Sequence, residues 1–424
     1  MKIAIIGSGI AGNVAAYHLS REHDVTVFEA GEHIGGHTHT HVVEQDGREV
    51  AVDTGFIVYN DWTYPNFVAL LNELGVESQL SEMSFSVKCA ARGLEYNGAT
   101  LNSLFAQRSN LLRPSFLRMI RDILRFNREA PALLEPGAAE VTLGEFLREN
   151  DYSAEFVRNY ILPMGAAVWS ASPQTMRGFP ARYFVRFFHN HGMLSVDERP
   201  TWRTIRGGSA RYVEKLTAPF REHIRLNAPV ESVRRAATHV LVKPRWGAAE
   251  RYDQVFLACH SDQALRLLAD ATPLEREVLG AIPYQQNDVV LHTDSSILPK
   301  RKLAWAAWNY QLTDEEQDRV SVTYNMNKLQ RLETSTPLLV TLNMTHAVDP
   351  AKIIKRLSYD HPMYTPQGVA AQARQAEING VDRTYFCGAY WRYGFHEDGV
   401  VSALQALEHF RERAHEKRPL YRTA

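Results

Sequence analysis

Apolar and polar positions fall along this chain in blocks that change period. Ile3–Ile6 is a continuous apolar run of strand length, closed by Gly7-Ser-Gly9-Ile-Ala-Gly12. Asn13–Leu19 follows with helix composition, and Asp24–Phe28 supplies a second short strand ending on Glu29. Together these predict a strand–helix–strand unit. Glu49–Tyr59 alternates and is rich in β-formers. Tyr64–Leu74 takes the helical period, with Phe67, Leu70, Leu71 and Leu74 on one face and Gly75 as a C-terminal stop. Residues 100–205 read as helical and rich in aromatics and arginine. Strand-length runs return at Val230–Val233, His239–Val242 and Gln254–Ala258, then at Asp288–His292, Val320–Tyr324 and Leu338–Leu342. A last strand and loop, Arg383–Ala389, leads to an amphipathic helix over Gly399–Phe410. No repeat or low-complexity segment interrupts the pattern.

The glycines between the first strand and helix have distinct tasks. In a G-x-G-x-x-G turn, Gly7 permits the tight bend, Gly9 lets backbone approach a pyrophosphate, and Gly12 lets helix pack on strand. Phosphates then sit at a helix N-terminus, held by the unpaired N–H groups of Ile10, Ala11 and Gly12 and by the helix dipole. Glu29, at the end of the second strand, and Ala30 beside it stand where an adenosine ribose is held. The alternative is a structural glycine turn. Gly35-Gly36 comes soon after, where the chain turns back and where missing side chains leave room for a long ligand.

Composition narrows the class. The 424 residues suggest about two domains, or one domain with a large insertion. Lys+Arg (47) and Asp+Glu (48) nearly cancel, so nucleic acid is not an expected partner. A strand beginning at Lys2 leaves no room for a signal peptide, and no apolar run has the length of a bilayer span. Cys89, Cys259 and Cys387 form no CxxC pair, which argues against disulfides and zinc and suits a reducing cytoplasm.

With the G-x-G-x-x-G turn, Glu29, Gly35-Gly36 and Val52-Asp53-Thr-Gly55-Phe56 on one chain, the sequence resembles the amine-oxidase and phytoene-desaturase superfamily of FAD-dependent oxidoreductases. His37 stands at the arginine position of that superfamily's G-G-x-R, a departure that puts the flavin-side phosphate contact in question because imidazole is shorter and usually neutral. The resemblance implies FAD as cofactor. It also implies that Gly388 and Gly394-Phe395-His396-Glu397-Asp398-Gly399 close over the flavin ring, with a helix N-terminus aimed at its pyrimidine edge, and that Val230 meets adenine through its backbone. A dipole there would stabilise negative charge on the ring. The plainer reading of this block is an ordinary helix start.

A closer likeness covers nearly the whole chain. Tyr64-Pro-Asn66, Ser81–Val87, Leu104–Gln107, Trp305–Asn309, Val340–Asn343 and Phe386–Tyr390 are similar to segments of the N-terminal flavoprotein-like domain of plant cyclopropane fatty acid synthases and their free-standing bacterial relatives. That resemblance implies FAD-dependent oxidation or reduction of unsaturated, methylated or cyclopropane-bearing acyl chains, with hydride passing to or from flavin N5. It points to a fatty acyl or phospholipid substrate and a lipid methyltransferase partner.

Further candidates carry two readings each. His396 and Glu397 are the candidate acid/base residues, although hydride transfer to flavin needs no obligatory base. Trp305, Trp308, Tyr390 and Tyr393 are either an aromatic substrate wall or ordinary core. His37, His39 and His41 alternate at ligand-like spacing, but no carboxylate or cysteine joins them, and no metal site is expected. His260 either nears the cofactor or caps a helix, and Gly207-Gly208 reads as a turn beside the cofactor. Residues 114–128 predict a basic amphipathic helix with Leu117, Ile120 and Leu124 on one face, widened by Phe116, Met119, Ile123 and Phe126. It either touches an anionic membrane or covers core with an arginine edge.

The expected fold is α/β, a discontinuous Rossmann-type FAD-binding domain (1–85, 206–275, 382–424) with a mixed α+β substrate domain (86–205, 276–381). The expected location is the cytoplasm, with peripheral contact at the inner membrane face. The alternatives are a flavin amine oxidase acting on a small amine, and a non-catalytic flavin-binding partner of a lipid methyltransferase. A separate nicotinamide domain is not expected, because no second complete G-x-G-x-x-G follows.

Overall fold

A computed structural model describes residues 1–195, 197–312 and 319–413. Of the expected segments, Val196, residues 313–318 and residues 414–424 lie outside the described residues.

The apolar run at the N-terminus becomes the centre of a five-stranded parallel sheet. Lys2–Ile6 pairs with Asp24–Phe28 on one side and Gln254–Leu257 on the other. Ile224–Arg225 and Thr384–Phe386 form the edges. Ile3, Ala4 and Ile5 are fully buried, as a parallel strand covered on both faces requires. Taken in chain order, the strands stand 3-2-1-4-5. That order reverses direction between Lys2–Ile6 and Gln254–Leu257, and ligands of such sheets bind in the crevice beyond the strand C-termini at the reversal. The helices Ile10–Leu19 and His396–Arg413, from opposite ends of the chain, pack against each other there. A Cβ added at Gly399 would lie 2.6 Å from Ile10 Cγ2.

A second sheet of seven strands orders as Ile353–Pro362, Tyr284–His292, Leu339–Leu342, Val322–Asn325, Trp308–Leu312, Phe85–Cys89 and Leu94–Asn97. It is antiparallel except where Trp308–Leu312 runs beside Phe85–Cys89, with Val87 opposite Tyr310. Over it lies the helical region, including Pro114–Glu129 and Ala181–Asn190, in one cluster with Phe126, Phe156, Phe184 and Phe188 at its heart. A hairpin, Thr40–Gln45 with Arg48–Asp53, and a small sheet of Tyr59–Asn60, Trp202–Ile205 and Ser78–Leu80 lie alongside.

Several expectations shift. The alternating run Glu49–Tyr59 is two short strands separated by the turn around Gly55. The last helix begins three residues early, at His396, because Asp398 reaches back to cap it. Ile353–Pro362, ten residues and mostly polar, was not predicted at all; it is held by pairing along the whole of Tyr284–His292. Helix Pro114–Glu129 forms, but its faces are divided differently. Phe116, Met119 and Phe126 are buried, whereas Leu117 and Leu124 point outward, 45% and 54% exposed. Among the described residues no helix is long and apolar enough to cross a membrane.

Candidate active site

The first turn supplies a cradle. Gly7 has φ +105, and a Cβ on it would meet the Ala258 carbonyl oxygen at 2.7 Å. A Cβ on Gly12 would collide with the Gly7 carbonyl oxygen. Gly9 differs: its backbone is extended, and a Cβ there would meet nothing within 4 Å. Gly7 and Gly12 therefore hold strand against helix, whereas Gly9 faces open space at the N-terminus of Ile10–Leu19. Within that helix the N–H groups of Ile10, Ala11 and Gly12 have no acceptor. Gly35 forms a bridge with Gly9, and a Cβ on Gly36 would lie 3.0 Å from Gly9 Cα, so the glycine pair rests directly on the turn. The residues present fit a dinucleotide pyrophosphate.

Glu29, which follows the strand Asp24–Phe28, is tied into the loop. Its Oε2 accepts from Ser8 N (2.9 Å) and Ser8 Oγ (2.6 Å), and Oε1 accepts from Gly31 N (2.8 Å). Ala30 is exposed beside it. Ala228 N donates to Glu29 O and Asn227 N to Gly31 O, bringing Val230 to the same end of the sheet.

The C-terminal block closes the crevice from the other side. Gly388 N donates to Ser402 Oγ (2.8 Å), and Gly394, at φ +89, passes the Tyr364 hydroxyl where no Cβ would fit. Phe395 stacks on Phe187. His396 lies flat on Phe56, with ring centroids 3.6 Å apart, and its Nε2 is 2.6 Å from Tyr212 Oη and 3.4 Å from Thr38 Oγ1. Burial pushes His396 down to about 3, so the ring is neutral. Asp398 accepts from Phe395 N (2.9 Å), faces Arg392 at 3.6 Å, and is pushed up to about 7 by burial.

Glu397, one of the two candidate acid/base residues, is engaged by the start of another helix. Its Oε1 accepts from Asn66 N (3.0 Å) and Asn66 Nδ2 (2.7 Å), and its Oε2 from Phe67 N (2.8 Å). The helix Pro65–Glu73 has no side-chain cap of its own, so Glu397 caps it from across the molecule. Burial nonetheless raises its carboxyl above the usual range.

His37 turns toward the seven-stranded sheet, its ring 5.1 Å from Tyr359, 5.5 Å from His361 and 6.1 Å from His260. Its Nε2 is buried without a partner, and burial followed by the nearby His361 holds it well below its ordinary value. A neutral imidazole offers one N–H or one lone pair in place of an arginine's charge. The three alternating histidines do not share one strand face. His39 stacks on His33 (3.9 Å) and lies tilted against His41 (4.0 Å), whereas the His37 ring faces Tyr359 and His361. Among the described residues no group of three or more His, Cys, Asp or Glu is placed to hold a metal. His260 precedes the helix Ser261–Leu267 and stacks on Tyr284 at 4.5 Å.

The four aromatic candidates do not stack on one another. Tyr393 joins Tyr183 (4.5 Å) and Phe187, and Tyr390 lies on Trp391 (5.0 Å). Trp308 meets Tyr324 edge-on and keeps a buried, unpartnered Nε1, whereas Trp305 donates to Pro299 O (2.7 Å). Sequence reasoning missed Thr38, Phe56 and Tyr212, which surround His396, and the structural role of Asp53. Buried Asp53 accepts from Thr40 Oγ1, Ser209 N and Oγ, and Gln330 Nε2, tying the hairpin to the Gly207-Gly208 turn. The D-x-G pattern was the only signal for that knot.

A 3-2-1-4-5 parallel sheet, a glycine cradle at its reversal and a second helix N-terminus facing it define a dinucleotide-binding enzyme with a mixed-sheet second region. The profile of flavin containing amine oxidoreductases matches residues 10–314, and the chain belongs to that family. It is an FAD-dependent oxidoreductase. No curated protein matches it in sequence. Among solved structures it is similar to cyclohexylamine oxidase from Brevibacterium oxydans (TM-score 0.71, 18% identity, 98% of this chain and 99% of that one). It is also similar to a fatty acid isomerase from P. acnes (0.68, 17%, 96% and 98%) and to an engineered putrescine oxidase (0.66, 17%, 96% and 98%).

Proposed function

We propose that this enzyme oxidises or reduces fatty acyl chains, unsaturated, methylated or cyclopropane-bearing. The observation that carries the reading is the apolar cluster of the helical region. It runs without a break from Phe116 and Phe126 to Tyr393 and Phe395, next to His396. A hydrocarbon chain needs such a neighbourhood, because every methylene buried adds ~0.8 kcal/mol. The likeness to plant cyclopropane synthase domains supports it, and the P. acnes isomerase shows this fold serving a fatty acid in that protein. The same likeness suggests a lipid methyltransferase as partner.

Gly9 and the first turn of Ile10–Leu19 would hold the FAD pyrophosphate, and Glu29 the ribose. When bound, FAD supplies the hydride chemistry at N5. The chain's own residues orient and exclude water. Phe56 and Tyr212 fix the neutral His396 ring, and the helix His396–Arg413 presents its N-terminal N–H groups to the crevice.

A small amine is the second reading, favoured by the grouping of Tyr183, Tyr364 and Tyr393, whose ring faces suit a cation. Anaerobic mixing of the oxidised enzyme with phospholipids of each acyl class, and separately with amines, decides between them. Bleaching of the oxidised flavin by a lipid class, or re-oxidation of the chemically reduced enzyme by one, is expected. Bleaching by amines alone would overturn the acyl reading.

A further inference from the structure

We propose that the outer face of residues 101–128, extended by the turn at 300–303, docks on an anionic phospholipid surface. Six of the thirteen exposed large hydrophobic residues described lie on these two segments: Leu101, Leu111, Leu112, Leu117, Leu124 and Leu303. Such concentration is not the scatter of single apolar residues normal on a protein surface. The segments are distant in sequence but adjoin in space, since the turn Lys302–Ala304 packs on the helix Leu101–Leu104. Leu112, 88% exposed, and Leu101, 78% exposed, are the most prominent.

The charge on this face has one sign. Residues 101–128 contain six arginines and a single acid, Asp122, which is 1% exposed and accepts from Ser153 N. Lys300, Arg301 and Lys302 add three cations from the second segment. The carboxylates that touch the face stand at its rim: Glu129 beside Arg125 and Arg128, and Glu95 beside Arg301. A helix that merely covers core would bury its leucines and show mixed charge outward. Here the inner face is already filled by Phe116, Met119 and Phe126, and the leucines remain outside with the arginines. Exposed leucine supplies an apolar term and clustered cations an electrostatic one, the two signals that stable peripheral binding needs.

The placement also joins surface to site. The helix that presents Leu117 and Leu124 outward turns Phe116 and Phe126 into the cluster that reaches Tyr393 and Phe395. Docking would set that cluster between lipid and the candidate active site. This last link rests on the acyl reading; the docking does not.

The test is flotation of the full-length holoprotein with vesicles of phosphatidylglycerol and phosphatidylcholine, against phosphatidylcholine alone, at low and high salt. Binding to the anionic vesicles, reversed by salt, is expected. Arg118→Glu/Arg121→Glu/Arg128→Glu should weaken it by on the order of a hundredfold or more. Leu112→Asp/Leu117→Asp should abolish it. All five positions are exposed, so bound flavin and melting temperature should match the wild type, which separates lost docking from misfolding. The proposal fails if the wild type does not float, or if either variant floats as well as it does. It also fails if the leucine variant instead splits a dimer that binds no vesicle, which would make the face an interface between two copies. Turnover plays no part, so any of these failures leaves the acyl reading standing.

Discussion

Replacing Gly9 and Gly12 separately should divide ligand binding from folding. At Gly12 an added methyl group collides with the Gly7 carbonyl and comes within 3.1 Å of Ala258 Cβ, with backbone on one side and packed core on the other. Neither can swing away, so Gly12→Ala should cost on the order of 3 kcal/mol, the upper range for overpacking. At Gly9 the backbone is φ −67, ψ −179, open to any residue, and nothing lies within 4 Å of the new Cβ. There a poorer helix cap and a stiffer unfolded chain nearly offset, and Gly9→Val should change the stability of the FAD-free protein by less than about 1 kcal/mol. On the proposed placement, the space it fills is the pyrophosphate's. Wild-type protein with FAD at a hundred times its dissociation constant should gain about 2.7 kcal/mol, and Gly9→Val should lose that gain entirely. Melting with and without FAD, beside flavin content after purification, measures both quantities. The reasoning is refuted if Gly9→Val retains flavin, or if its FAD-free form melts as low as Gly12→Ala.

Glu397→Ala should destabilise the protein by about 2–3 kcal/mol, because three charge-assisted hydrogen bonds to one helix N-terminus are lost. Hydrogen exchange should quicken across Pro65–Glu73 rather than throughout, and uniform loosening would contradict the capping role. For acid stability the sign follows from the buried histidines. His191 and His292, pushed down to about 4, and His396, pushed down to about 3, stay neutral in the fold but take protons in the unfolded chain below about 6.5. Stability should therefore fall as pH drops from about 6.5 toward 4. Asp53 and Asp398, raised to about 6 and about 7, act in the opposite sense. Each holds a proton in the fold that the unfolded chain has released, so each favours folding as pH falls through its folded pKa. The histidines held near or below 4, which also include His18, His39 and His361, outnumber them. Urea midpoints that stay flat or rise between pH 6.5 and 4.5 would contradict this balance.

What the sequence made legible follows from where the physics is local. The apolar run at Ile3–Ile6, the glycine turn and the helix Pro65–Glu73 each depend on neighbours within a few residues, and each formed close to its expected bounds. Ile353–Pro362 was invisible because its strand character comes from a partner about seventy residues away, not from its own mostly polar side chains. Two-faced helices were harder still. In Pro114–Glu129 the periodicity showed an apolar sector but not which part of it met the core, since Leu117 and Phe116 are adjacent and equally apolar. Only packing distinguishes them, and the difference decides whether the helix has anything left to offer a membrane.

Several short segments singled out in the sequence lie at long-range polar contacts. Tyr64-Pro-Asn66 receives the carboxylate of Glu397 from the far end of the chain. Ser86, within Ser81–Val87, donates to Asn309 of Trp305–Asn309, which also donates to Thr323 O. Asn343 of Val340–Asn343 donates to Asn287. Four of these segments share three buried or part-buried polar contacts that span 56 to 331 residues. Buried polar groups tolerate little substitution, because a partner left unpaired costs about 1–3 kcal/mol. Such positions stand out in a sequence without disclosing what they touch. The same holds for the opening glycines. Gly7 and Gly12 are explained by the strand and helix they join, but Gly9 is required by nothing in the protein itself. It is the one glycine of the three whose space the fold leaves empty, and the proposed FAD pyrophosphate would give that space its use.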